Sequence, residues 1–177
     1  MYLILHLDVQ KKFQKEIDDV IGQSRQPSLT DKPKMIYAEA LTCEVLRKSS
    51  LAPFGVFHTA TENTTFEGFD MPEGTLIVSN QYYVHHDPKI WGDPENFRPE
   101  RFISPEGRIQ KKEYLIPFSI GKRVCPGETL ARDSIFLFLT NLFQRFEIRA
   151  DASKPMPSMD EPVAMFDLLE APEFFVT

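Results

Sequence analysis

The segment Pro117-Phe118-Ser119-Ile120-Gly121-Lys122-Arg123-Val124-Cys125-Pro126-Gly127 constrains this chain more than any other stretch. Two glycines punctuate a loop that delivers one cysteine to the start of a long apolar run ending at Phe146. Gly121 and Gly127 carry no Cβ, so backbone there can approach something flat and bulky. Pro126 suits the first turn of a helix, where its missing N–H leaves no bond unmade. A cysteine at that junction lies beside helix-start N–H groups and the positive end of the helix dipole, both of which favour a thiolate. Arg123, two residues earlier, adds positive charge. A buried structural thiol beside a chance turn is the plainer reading of a single cysteine. It leaves the glycines, the arginine and the proline without a common reason.

The remaining pattern frames this loop with helices and short strands. Val9, Phe13, Ile17, Val20 and Ile21 recur at helical spacing and predict a helix over 7–21, stopped by Gly22. Residues 23–33 read as a loop, and a second helix is expected over 34–48 with Ala38, Leu41, Val45 and Leu46 inward. Residues 57–60, 65–69 and 75–79 are rich in β-branched and aromatic side chains, with turns at Glu62-Asn63 and Pro72-Glu73-Gly74. A short helix is expected over 81–89. Residues 87–107 are dominated by Pro, Asp, Asn and Gly, the composition of a functional or tightly pinned loop. Over 126–146 apolar residues cover nearly every face, which predicts a buried core helix. Strands are expected over 163–166 and 173–176.

Composition removes several function classes. A length of 177 residues suits one domain, at ~150 residues per domain. With 26 acidic and 20 basic residues the net charge is −6, a poor balance for sequence-independent nucleic-acid binding. The 15 phenylalanines predict a Phe-rich core of the kind that lines apolar cavities, and 14 prolines against 8 glycines predict rigid connections. Cys43 and Cys125 form no CxxC pair, and His6, His58, His85 and His86 never take HExxH spacing, so no zinc site is predicted. Two cysteines make no disulfide framework, and a reducing setting fits them. Asn63-Thr64-Thr65 fits the glycosylation sequon, a match common by chance. The longest apolar runs, 1–5 and 135–139, fall far short of the ~20 residues a membrane span needs. Residues 1–7 lack the basic start and cleavage site of a signal peptide, and the chain begins abruptly inside an apolar stretch.

Phe118, Gly121, Arg123, Cys125 and Gly127, at these spacings, resemble the haem-binding signature of the cytochrome P-450 monooxygenases. The resemblance implies that Cys125 is the axial thiolate ligand of a haem b iron, a donor that favours O–O cleavage. It implies N–H groups around Gly127 donating to the sulfur, Phe118 packed beside it, and Arg123 paired with a haem propionate. Glu44-Val45-Leu46-Arg47 resembles the family's ExxR motif, and its spacing puts Glu44 and Arg47 on one helical face. Phe97-Arg98-Pro99-Glu100-Arg101-Phe102 resembles the PERF motif. Together they imply a buried structural triad of Glu44, Arg47 and Arg101 that pins the long loop to the helix. The implied fold is α+β and mostly helical: the C-terminal part of the P-450 fold, with a small antiparallel sheet, a meander and the cysteine loop.

In microsomal members the stretch matching Phe54-Gly55-Val56-Phe57-His58 lines the substrate cavity and ends on a propionate. That implies substrate-facing Ala52, Phe54, Gly55 and Val56, with His58 on the propionate; a satisfied histidine in a half-buried strand is the plainer reading. Val163, Ala164 and Met165 are a second candidate cavity-lining turn. His85-His86-Asp87, before Trp91-Gly92-Asp93-Pro94, is read as structural. Lys111, Lys112, Lys122, Arg123 and Arg132 surround the cysteine loop and either steer an acidic redox partner or form a solvated face. Residues 1–177 are expected to be a fragment of a single domain, without the family's oxygen-activating central helix and N-terminal membrane anchor, and no catalytic residue is assigned within them. The complete protein is expected at the cytosolic face of the endoplasmic reticulum. It would insert one oxygen atom from O2 into a steroid, fatty acid or xenobiotic. Its electrons would come from NADPH through a cytochrome reductase, with a cytochrome b-type donor as a further partner. A truncated, non-enzymatic haem-binding or interaction module is the rival expectation.

Overall fold

Apolar spacing and one buried glutamine build the first helices. The computed structural model describes residues 1–151, 153, 155–156 and the backbone of 163–165 and 168–170. Helix α1 (Tyr2–Leu5) breaks at His6 into α2 (Leu7–Val20), which buries Val9, Phe13 and Ile17. Gln10 is buried with them, and its side chain is fully used: Nε2 donates to Leu3 O and Ile148 O, and Oε1 accepts from the Ile148 N–H. A buried amide satisfied in this way costs little and ties residues far apart in sequence.

Helix α3 (Ile36–Ser49) has no side-chain cap of its own. Glu16 of α2 supplies one, accepting the N–H groups of Tyr37 (2.7 Å) and Ala38 (2.8 Å). A carboxylate thus meets the positive end of α3 from a neighbouring helix. The C-terminus of α3 ends in the left-handed Ser50 (φ 39°). Helix α6 (Glu128–Arg145) closes the layer against α2 and α3, with Phe143 edge-on to Phe13 at 5.8 Å. Gln144 Nε2 donates to the carbonyls of Gly22 and Arg25, fastening the end of α6 to the exit of α2.

Three expectations are corrected here. The expected single small sheet is three separate two-stranded antiparallel ladders: β1 (His58–Thr59) with β4 (Leu76–Ile77), β2 (Thr64–Phe66) with β3 (Phe69–Met71), and β5 (Val163–Met165) with β6 (Leu168–Glu170). The strand expected over 65–69 is a hairpin, because Glu67 (φ 49°) and Gly68 (φ 84°) make a two-residue turn between Phe66 and Phe69. Both central residues at positive φ match the twist of paired strands. The short helix expected over 81–89 is two, α4 (Gln81–His86) and α5 (Pro88–Trp91). Pro88 disfavours helical backbone at Asp87, whose ψ is 116°. The strand expected over 173–176 lies outside the described residues.

Helix α6 also departs from expectation. It begins at Glu128 with Gly127 as its N-cap, so Pro126 precedes the helix rather than opening it. Phe136, Thr140 and Phe143 are buried, but Leu130 is 74% and Phe138 79% exposed. Only the face toward α2 and α3 is covered by other described residues. Phe54, Phe57, Phe66, Phe69 and Phe146 are likewise exposed, so the phenylalanine content is only partly core. Among the described residues no helix is long and apolar enough to cross a membrane.

The core makes a direct stability prediction. Phe13 is 1% exposed and central to the helical layer. Phe13→Ala should lower the unfolding free energy by ~3–5 kcal/mol in urea titration. A loss under ~1 kcal/mol would contradict this packing.

Candidate functional site

Helix α3 carries a carboxylate that the rest of the site is built on. Glu44 and Arg47 are both fully buried, one helical turn apart. Arg47 makes a fork onto Glu44, with Nε and Nη2 each donating at 2.9 Å. Arg101, in the turn Pro99–Phe102, donates its Nε to the same carboxylate at 3.1 Å. The Arg98 N–H adds a fourth donor at 2.8 Å. Two guanidinium groups around one carboxylate in a water-free space leave excess positive charge, and the surplus donors must end on oxygen.

They do so on the meander. Arg47 Nη1 and Nη2 donate to the carbonyls of His85 (2.8 Å) and Pro94 (2.9 Å). Arg101 donates to the carbonyls of Trp91, Asp93 and Asn96 and to the Asp93 carboxylate. The Arg98 hydrogen bond, helped by Arg101 and Asn96, holds the Asp93 carboxyl well below the usual carboxylate range. The loop expected over 87–107 to be functional or tightly pinned is pinned over 85–96, where carbonyls are threaded onto two arginines, with Trp91 and Phe102 packed beneath them. Asp93 and the carbonyl acceptors went unassigned in the sequence. A carbonyl acceptor has no residue signature, and Asp93 is signalled only by its place after Gly92, whose φ is 74°.

A second set of bonds runs from α3 to the cysteine loop through His85. Its ring is fully buried. Nε2 accepts the Ile116 N–H at 3.0 Å, and Nδ1 lies 2.9 Å from Ser50 Oγ, which donates to the Arg47 carbonyl at 2.8 Å. Burial, aided by His86 and Arg47, lowers the His85 pKa to about 4. Ile116 opens onto the loop itself, which is closed where the Cys125 N–H donates to Phe118 O at 2.9 Å. Gly121 sits at φ 76°, the left-handed conformation that favours glycine. Cys125 is exposed, and a Cβ added at Gly127 would lie 3.7 Å from its sulfur. Phe118 lies under the Arg132 guanidinium at 5.3 Å. The other thiol, Cys43, is buried among Ala40, Trp91, Phe102 and Leu115, and burial pushes it up to about 11.

The structure sorts the remaining candidates. Ala52, Phe54, Gly55 and Val56 leave α3 as one loop, with Phe54 and Val56 exposed. Gly55 is at φ 60°, and a Cβ there would come within 2.7 Å of Gln81 Nε2, so the loop passes α4 closely only because it carries glycine. His58 is half-buried in β1, opposite Ile77. The side chains of Val163 and Met165 lie outside the described residues. The expected basic cluster is thinner than its composition: Lys112 pairs with Glu39, Arg132 with Glu128, and Lys111 reaches the Ile90 carbonyl. Of the five, only Lys122 and Arg123 carry no ion pair or side-chain hydrogen bond among the described residues.

Comparison with known proteins defines the class. The family model for cytochrome P450 matches residues 1–175. The chain is 46% identical over 167 residues to the farnesoate epoxidase of Bombyx mori, covering 92% of this chain and 34% of that protein. It is 47% identical over 158 residues to human (Homo sapiens) cytochrome P450 2U1, covering 88% and 29%. With cytochrome P450 1A1 of Cavia porcellus it shares 48% over 149 residues, covering 83% and 29%. The chain belongs to the cytochrome P450 family, as a region of microsomal type. It spans about a third of the length of the curated relatives it matches.

Glu44 sets the prediction for this site. Glu44→Gln keeps the shape but leaves two buried guanidinium groups short of a counter-charge. It should cost ~3–5 kcal/mol of unfolding free energy by urea titration. A change within ~1 kcal/mol of wild type would show that the carboxylate is not the organising charge.

Proposed function

We propose that residues 1–177 are the C-terminal part of a single haem-thiolate monooxygenase domain, in which Cys125 would supply the thiolate ligand of the haem iron. The observation that carries this reading is the exposed sulfur of Cys125 on a loop closed by its own backbone and anchored to buried helix α3. The donor set fits haem iron: one soft ligand on an open face, while the thiol of Cys43 is buried and held protonated. Bound haem supplies dioxygen chemistry, which thiolate donation tilts toward O–O cleavage.

The chain's own residues have separate tasks in this reading. Cys125 holds the thiolate, and N–H groups near Gly127 temper its charge. Phe118 shields one side of the sulfur. Arg123, free of ion pairs among the described residues, and His58 would hold the propionates of a bound haem. Phe54, Val56, Ala52 and Gly55 give an apolar wall to a lipophilic substrate and keep water from it. One relative is a farnesoate epoxidase, and an apolar substrate of that sort suits the wall. Glu44, Arg47 and Arg101 do no chemistry: they position the meander and, with it, the loop. The complete protein draws electrons from NADPH through a reductase, with a cytochrome b-type donor as a second source, and works at the cytosolic face of the endoplasmic reticulum. With Arg123 assigned to a propionate, Lys122 is the charge left to meet an acidic redox partner.

The test is the carbon monoxide difference spectrum of the reduced, haem-loaded chain. A long-wavelength band of thiolate-ligated haem that vanishes in Cys125→Ala is the expected result. Haem binding with an unchanged spectrum in Cys125→Ala would overturn the assignment of the ligand.

A further inference from the structure

His85 is joined to three separate parts of the chain, and its geometry dictates where its proton sits. Nε2 accepts from a backbone N–H, that of Ile116 at 3.0 Å, so it carries no proton. A neutral ring then holds its proton on Nδ1, which donates to Ser50 Oγ at 2.9 Å. The Ser50 hydroxyl passes its own hydrogen to the Arg47 carbonyl, and Arg47 Nη1 returns a bond to the His85 carbonyl. The cycle is closed, and each donor in it has one acceptor. Ser50 caps the end of α3 in the left-handed conformation and is buried, so a hydroxyl turned away from His85 and the Arg47 carbonyl would lose its bonds out of reach of water.

We propose that His85, with its proton on Nδ1, is the positioning residue that fixes the entry to the cysteine loop, and that protonation of Nε2 releases Ile116. An imidazolium has no acceptor, so the Ile116 N–H would face an N–H across a buried contact. The charged and titratable groups around the ring act in the same direction. Arg47 from α3 and His86 on α4 both oppose a second proton, as does burial. Lys48 and Glu95 act on His86 rather than on the ring itself. The neutral form therefore persists to about pH 4, below the ordinary histidine range. Because the folded pKa lies below the unfolded one, the stabilisation that the anchorage contributes is full above the ordinary histidine pKa of ~6.5 and is lost as pH falls through about 4.

Only the identity of the loop as the one that holds haem rests on the function proposed above; the anchorage does not. It is measured on the full chain without haem, so either can fail alone. The measurement is hydrogen exchange of the Ile116 amide by NMR, corrected for the intrinsic rate at each pH, with the amides of α2 as the reference for global opening. In wild type, protection of Ile116 should fall by at least about tenfold between pH ~6.5 and pH ~3.5, while α2 changes less. In His85→Gln, whose Oε1 reaches the Nε2 position and does not titrate, protection should stay level across that range. In His85→Asn, which reaches only the Nδ1 position, it should be lost at every pH. A fall shared equally by α2, or the same fall in His85→Gln, would overturn the proposal. Ring nitrogen shifts give a check that needs no variant. An unprotonated Nε2 near neutral pH is expected, and a protonated one would contradict the assignment.

Discussion

One carboxylate, that of Glu44, decides how this chain is arranged. It is fully buried and takes four hydrogen bonds, three from arginine side chains and one from the Arg98 backbone. A charge in that position is tolerated only with its partners in place, because desolvation alone costs several kcal/mol. The partners in turn carry more donors than Glu44 can accept. Those spare donors, ending on the carbonyls of His85, Trp91, Asp93, Pro94 and Asn96, give an irregular segment the fixed shape that hydrogen-bonded ladders give to sheets.

The order of the chain follows from this constraint. Helix α3 is oriented by Glu16 at its start and by Ser50 at its end, which sets Glu44 and Arg47 toward the meander. The meander and α4 then present His85, which holds Ile116, and Ile116 begins the loop that ends at Cys125. The two cysteines show the result: one thiol sealed in the second core cluster, the other exposed at the far end of the network.

Long elements and short motifs were legible from sequence for different reasons. Helices α2 and α3 announce themselves through apolar spacing over 14 residues each. The pairing of Glu44 with Arg47 follows from helical geometry, and Arg101 was found only through the family resemblance. The hairpin at Glu67-Gly68 was missed because aromatic and β-branched residues run straight through it, and only a Glu-Gly pair marks the reversal. The exposed face of α6 was missed because hydrophobicity reports what a helix wants to bury, not what is present to cover it. The sequence marks His85 as structural, but its links to Ile116 and Ser50 join residues 31 and 35 positions away, which no local pattern records.

Haem affinity of Glu44→Gln, with Cys125 left in place, tests the dependence of the loop on the buried carboxylate most directly. Absorbance titration of the full chain would show binding weakened at least about tenfold relative to wild type if Glu44 organises the loop from a distance. Affinity equal to wild type would contradict it: the cysteine loop would then hold its shape without the network beneath it.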